Sequence, residues 1–299
     1  MYACQMRAMI RGWRDAWVGN PPANRNFTFV LHQLSACTYS GDVPALRWSQ
    51  QGAVAPWSSL PRVAMSVGLD LSDPASPCAN VHIRNKTAVG ERMARAGRAL
   101  GYPNSEAGDT AFTGPVASTF TLSSSSSSAD DNDPASAVPP VPLLLTVGFS
   151  GATLPLRFVT IAQTTRANLT GVEVNYGDAS VARDSGSGSS GSGSSPWIPV
   201  PAHVTAYASK GRSGTAAAAA AAAPFPSIVV DLGSVEGHTS GAVPRWVRYA
   251  WQSVPDTQLL YDSTVNGEYT HGLPAPPWWV NCTASAGCAL IPPGELPTV

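Results

Sequence analysis

Histidine is scarce in this chain, with 5 in 299 residues, and one of them stands where chemistry is expected. His82 follows the apolar run Val63 to Leu71 by about ten residues, and Asp70 and Asp73 lie between that run and the histidine. In open α/β sheets, reactive groups sit on the loops that leave the carboxyl ends of the strands. An acid and a histidine on one such loop is the set that Ser-His-Asp hydrolysis uses. The imidazole takes the nucleophile's proton, and the carboxylate fixes its tautomer and stabilises the imidazolium. A surface-loop histidine beside a helix-capping aspartate gives the same spacing, and spacing alone favours that reading.

Other residues offer less. His32 and Gln33 end the apolar run Phe27 to Leu34 and read as packing. Trp246, Trp251, Trp278 and Trp279 are a possible platform for sugar rings, but aromatics beside prolines near a domain end read as packing too. Arg248 reads as the structural partner of a carboxylate. Gly148-Phe149-Ser150-Gly151-Ala152 approaches a nucleophile elbow, yet Ala152 stands where the last glycine belongs, and the neighbours are β-formers, so it reads as a turn. Cys4, Cys37, Cys78, Cys282 and Cys288 include no C-x-x-C pair and no histidine at zinc-site spacing, so neither a metal nor a cofactor is expected. Cys282 and Cys288 are close enough to bridge. Asn26, Asn85, Asn168 and Asn281 each head an N-x-S/T tripeptide, which permits a secretory setting.

The elements that must position these groups fall into two styles. Tyr2, Met6, Met9, Ile10, Trp13 and Trp17 recur at helical steps, so residues 2–17 read as a helix with that stripe packed inward. Phe27 to Leu34 and Val63 to Leu71 read as strands, with a Trp-, Ser- and Pro-rich loop from Ser40 to Pro61 between them. Arg84 to Leu100 reads as a helix with Val89, Met93, Ala96 and Leu100 on one face and Arg92, Arg95 and Arg98 on the other, closed by Gly101. That order suits an α/β layer with a parallel sheet. After Pro115 the pattern changes to short strand-like runs: Leu143 to Phe149, Leu156 to Ile161, Val172 to Tyr176, His203 to Tyr207, Ile228 to Leu232 and Trp246 to Trp251. Turn residues separate them, as in a β-sandwich. The Ser/Asp/Pro stretch 123–139, the Gly/Ser tract 185–195 and the alanine run 216–223 read as loop expansions, the first two disordered for want of apolar anchors.

Composition narrows the classes. Lys+Arg total 18 against 19 Asp+Glu, so the chain lacks the basic surplus that phosphate backbones or anionic membranes select, and neither partner is expected. Charged residues are 12%, about half the usual share of roughly 25%. No apolar run approaches the roughly 18 residues of a spanning helix. Met1 to Arg7 lack the basic start and apolar stretch of a signal peptide.

Leu69-Asp70-Leu71-Ser72-Asp73, then His82-Ile83-Arg84-Asn85-Lys86 and Val89-Gly90-Glu91-Arg92-Met93, resembles the histidine block of the sialate O-acetylesterases. Met9 to Arg14, Phe29 to Leu34, Val247 to Trp251 and Gly272 to Trp278 resemble further blocks of the same family, in family order. The resemblance implies an SGNH-type serine esterase that removes acetyl groups from hydroxyls of sialic acids, mainly at the 9 position, or of related acetylated glycans. It implies His82 as the base, with Lys86 and Gly90 in its neighbourhood. Asp73 is the expected acid because it lies nearer His82, Asp70 is the alternative, and a backbone carbonyl near Asn80 is a third way to orient the ring. Ile83 replaces the family's proline, which frees the loop. The family's Gly-Gln-Ser-Asn nucleophile block and Gln-Gly-Glu-x-Asn oxyanion block have no counterpart in these residues.

The expected fold class is α/β: a partial SGNH-type, flavodoxin-like parallel layer, then a mostly β, sandwich-like domain with low-complexity inserts. The expected boundaries are 1–115 for the esterase half-domain, 116–140 for a disordered insert, 141–280 for the β-domain and 281–299 for a tail. The expected function is that of the C-terminal part of an acetylesterase, inactive by itself. Its expected partner is an O-acetylated sialic acid or other acetylated glycan. The compartment is expected to be secreted or lysosomal if an upstream leader exists. A non-catalytic glycan-binding or structural β-module that keeps an esterase remnant is the alternative.

Overall fold

The computed structural model describes residues 2–17, 26–38, 42–77, 81–103, 111–124, 143–151, 155–160, 166, 168–177, 197–205, 226–232, 235, 242–262, 272–293 and 295. The chain opens with helix α1 (Tyr2–Ala16), strand β1 (Phe29–His32), helix α2 (Val43–Gln51), strand β2 (Val63–Ser66) and helix α3 (Thr87–Gly101). β1 and β2 pair in parallel, Phe29 opposite Val63 through His32 opposite Ser66. Parallel neighbours need a long crossover, and here α2 supplies it. The expected loop at 40–61 thus contains a helix. Its start was readable: the Asp42 side chain accepts from the Ala45 amide at 3.1 Å, and Pro44 lies in the first turn.

Two helices turn differently from their apolar stripes. In α1, Ile10 is fully buried, but Met9, Trp13 and Trp17 are 37%, 54% and 69% exposed. Arg14 is buried instead, because its Nη2 donates to the carbonyls of Phe27 and Pro61, both at 2.8 Å. In α3 the buried residues are Ala88, Arg92, Ala96 and Ala99, so Arg92 faces the sheet rather than water. The helix continues through Gly101 and is capped at Tyr102.

The rest is antiparallel. The next strands are β3 (Val116–Ser124), β4 (Leu143–Ser150), β5 (Arg157–Val159), β6 (Val172–Asn175), β7 (Ile198–Val200) and β8 (Ala202–Val204). They are followed by β9 (Ser227–Asp231), β10 (Trp246–Tyr249), β11 (Leu259–Tyr261), β12 (Trp278–Thr283) and β13 (Gly287–Leu290). One sheet runs β3-β4-β9-β8, a second runs β13-β12-β10-β6-β7, and β5 pairs with β11. Alternate residues point inward, and Leu145, Val147, Phe149, Ile228 and Val230 of the first sheet meet Val174, Val247, Tyr249 and Val280 of the second.

Two expected boundaries shift. Val116–Ser124, expected within a structureless insert, form β3 along the edge of β4, where alternation through Leu122 gives the strand an apolar side. Residues 281–290, expected as tail, complete β12 and β13. There Cys282 and Cys288 stand directly opposite and form a disulfide across the hairpin. The rest of the insert, from 125, the Gly/Ser tract, the alanine run and Cys78 lie outside the described residues.

One core cluster spans both styles of structure, since Trp48 of α2 and Val67 and Leu69 after β2 belong to the cluster that fills the sandwich, while Ile10, Leu31, Ala53 and Met65 form a smaller separate one. Arg47 fastens the junction. It is wholly buried, and its guanidinium donates to the carbonyls of Leu34 (2.8 Å), Ser35 (3.0 Å), Gln252 (2.6 Å) and Ser253 (2.8 Å). Gln51 Nε2 donates to Pro277 O at 2.8 Å beside it. Each buried carbonyl left without a donor costs about 1–3 kcal/mol. Arg47→Met keeps the apolar stem and strips all four donors, so it is expected to lower stability by at least about 3 kcal/mol. Urea unfolding of the two proteins checks this, and an unchanged midpoint would show that the four contacts contribute nothing net.

Candidate functional site

The candidate site is the loop from Gly68 to Lys86, at the carboxyl ends of β1 and β2 and the amino end of α3. Its foundation is Asp70. That carboxylate receives Arg92 in a fork, Nη1 to Oδ1 and Nη2 to Oδ2, both 2.7 Å, and the Tyr261 hydroxyl donates to Oδ2 at 2.8 Å. Arg92 and Asp70 side chains are 1% and 5% exposed. Burial alone pushes the carboxyl's pKa up, but the Arg92 charge and the hydrogen bonds from Arg92 and Tyr261 outweigh it and hold the pKa below the usual range. Burial, then the Asp70 charge, pushes the Tyr261 phenol well up, so it remains a donor.

Asp73 is gripped by a second arginine in the same fork. Arg84 Nε donates to Oδ2 at 2.6 Å and Nη2 to Oδ1 at 2.9 Å, while the Arg84 amide adds a bond to Oδ2 at 3.1 Å. These bonds from the Arg84 side chain and backbone lower the carboxyl to about 2. This pair is open to water: the Arg84 side chain is 61% exposed and that of Asp73 15%.

His82 lies between these fixed points. Ser76 Oγ donates to the His82 carbonyl at 2.8 Å, and the Ser76 amide donates to Asp73 O at 2.9 Å, which folds the loop back on itself. Ile83 is buried against Leu71 and Ala88, so the apolar side chain that replaces the family's proline anchors the loop by packing. The His82 ring itself is exposed, and among the described residues it has no hydrogen-bond partner. Asp70 and Asp73 thus meet arginines rather than the imidazole. Asn80, the residue of the carbonyl alternative, lies outside the described residues. Lys86 is exposed at the start of α3, and Gly90 is exposed with open space where a Cβ would stand.

The remaining sequence candidates are tied into packing. Ser150 ends β4 and donates to Val116 O at 3.4 Å, followed by Gly151 at φ +69. Arg248 bonds Glu173, its register partner on β6, at 2.8 Å, and its guanidinium lies 3.6 Å from the Trp197 ring centre. Trp279 meets Trp251 and Trp197 edge-on, at 4.7 and 5.3 Å, and Trp278 stacks on Tyr249. Trp246, Trp278 and Trp279 are buried. Gln33 is fully buried, and its side-chain Nε2 and Oε1 have no partner among the described residues.

One half-buried group was undervalued by its apolar neighbours. His32 at the end of β1 bonds two hydroxyls, Ser66 Oγ at Nδ1 (2.8 Å) and Ser35 Oγ at Nε2 (3.3 Å). Gly68 makes the room, since a Cβ there would lie 2.6 Å from Nε2. The signal was the pairing of a strand-end histidine with serine in the neighbouring strand. Burial first, then the Arg92 charge, lowers His32 to about 4 from an ordinary 6.5. The unfolded chain therefore takes the proton first as pH falls. The folded state keeps its full advantage above about 6.5 and loses it progressively down to about 4. Thermal melts of the parent chain and His32→Gln across that window check this: the parent's midpoint falls more steeply with acid. Parallel curves would remove His32 from the account.

No protein-family model matches the chain. Over 125 residues, 39% of the chain, it is 34% identical to sialate O-acetylesterase of Rattus norvegicus, and over 124 residues 32% identical to that of Homo sapiens. These matches span only 22% and 23% of the relatives' lengths. A crystal structure of a carbohydrate acetylesterase from Xanthomonas citri superposes on 93% of the chain with a TM-score of 0.56 at 20% identity, and the chain covers 45% of that structure. The second likeness is one of fold. The chain spans about a fifth of the length of the curated relatives it matches.

Proposed function

We propose that these 299 residues form the histidine-bearing part of a carboxylic ester hydrolase that removes O-acetyl groups from sialic acids or related acetylated glycans. The observation that supports this most directly is the placement of His82. A loop tied down by Asp73, Ser76 and Ile83 presents an exposed imidazole with no described partner, beyond the carboxyl ends of a parallel strand pair.

In this reading a serine hydroxyl from outside the 299 residues attacks the acetyl carbonyl. His82 takes its proton and returns it to the departing glycan hydroxyl, and in the second half water takes the serine's place. The energetics favour Asp73 over Asp70 as the acid that orients the ring. The Asp73–Arg84 pair is the more accessible of the two, with the Arg84 side chain 61% exposed, so it costs less to disturb than a fully buried pair. Freeing Asp70 would strand a buried Arg92, a loss of about 3–5 kcal/mol. Asp73 is therefore the acid this reading assigns to His82, while Asp70 stays in the framework.

Turnover of a 9-O-acetyl sialic acid tests the reading. The 299-residue chain alone is expected to show none above background. Extended at its amino end by a segment carrying a nucleophile block, it is expected to turn over. His82→Ala should then cost about 10²–10⁴-fold with folding intact. Full activity in the extended His82→Ala protein would remove the base, and turnover by the short chain that Ser150→Ala abolishes would relocate the nucleophile.

A further inference from the structure

Four tripeptides in the chain have the form of N-glycan acceptors, and the structure separates one from the others. At Asn26-Phe27-Thr28 the threonine hydroxyl already accepts from Arg62, at 3.0 Å from Nη2. At Asn168-Leu169-Thr170 the asparagine is exposed, but Thr170 is buried, 8% exposed. At Asn281-Cys282-Thr283 the middle residue is held in the Cys282–Cys288 disulfide, and Thr283 Oγ1 accepts from the Ala286 amide at 3.1 Å. At Asn85-Lys86-Thr87 all three residues are exposed.

The geometry at Asn85 suits the chemistry. Its Oδ1 accepts from the Thr87 amide at 3.0 Å, an Asx turn that leads into α3. That bond uses the oxygen alone. The nitrogen Nδ2, where an oligosaccharide attaches, has no partner among the described residues, so substitution there leaves the helix entry intact. The disulfide is an independent observation: such bonds persist in oxidising compartments, where asparagine-linked glycans are also added.

We propose that Asn85 is an acceptor for an N-linked oligosaccharide. The donor class is a polyprenyl-pyrophosphate-linked oligosaccharide. Nδ2 bonds to the anomeric carbon and loses one proton to base, while the bond from that carbon to the pyrophosphate oxygen breaks and the polyprenyl pyrophosphate departs. The glycan stands three residues from His82, on the rim of the candidate site. This inference does not depend on the esterase reading.

The test is secretion of the whole chain from eukaryotic cells behind a cleavable leader, with the peptide containing Asn85 analysed by mass before and after peptide N-glycosidase. The expected result is an oligosaccharide released by the glycosidase with conversion of Asn85 to aspartate. Asn85→Gln and Thr87→Ala should each remove one oligosaccharide's mass, and Thr87→Ser should retain it. If the variants fail to leave the cell, the same peptide from intracellular material decides the point. Recovery of the Asn85 peptide only in unmodified form, or a Thr87→Ala chain with the parent's glycan complement, would overturn the assignment.

Discussion

Three elements distant in sequence meet on the carboxylate of Asp70. It leaves β2, receives Arg92 from α3, and accepts the hydroxyl of Tyr261 from β11 in the other half of the chain. Arg92 Nη1 also donates to Val67 O at 2.7 Å, which closes the helix onto the strand end. A charge pair this buried is tolerated only when its geometry is good and its remaining lone pairs are used. The fork geometry meets the first, and Tyr261 and Arg92 together use the Asp70 oxygens. The loop that carries His82 leaves from this point and returns to α3 five residues before Arg92, so the fixed pair sets both ends of the loop.

The same logic joins the α/β elements to the sandwich. Arg47 satisfies two carbonyls on each side of the junction, and Trp48 beside it belongs to the sandwich core. Gly114 lies so close to Pro274 that a Cβ would stand 2.2 Å from its carbonyl oxygen. These are contacts of a domain interior. The parallel pair β1–β2 has a small core of its own, Leu31 and Met65 with Ile10 and Ala53, and its flanking residues enter the larger β core.

Much of the architecture was legible. The two apolar runs became the parallel pair, and the short turn-separated runs became sandwich strands, because alternation with β-branched residues is enforced by a two-faced sheet. One group of misreadings shares a cause. Arg92 reads as part of the polar face of α3 because a sequence reads charge as surface, and Arg14 and Arg47 carry the same ambiguity. Each is buried because carbonyls or a carboxylate from remote segments wait for its planar fork. With Arg92 turned inward, the face assignment of α3 rotates. With Arg47 inward, the supposed loop before Pro61 becomes a helix. At the candidate site, spacing drew attention to His82, Asp70 and Asp73, but it carried no sign of Arg84 and Arg92 as their counterions, since those partners lie 11 and 22 residues away.

The account rests on the chain folding as one unit around the Asp70 clamp, and urea unfolding of Asp70→Asn tests that most directly. The unfolding is followed by tryptophan fluorescence and by far-ultraviolet circular dichroism. The account predicts a single coincident transition by both probes, with a loss of about 3–5 kcal/mol because Arg92 is left buried without its counter-charge. Two separate transitions, with the sandwich unfolding as in the parent, would contradict it.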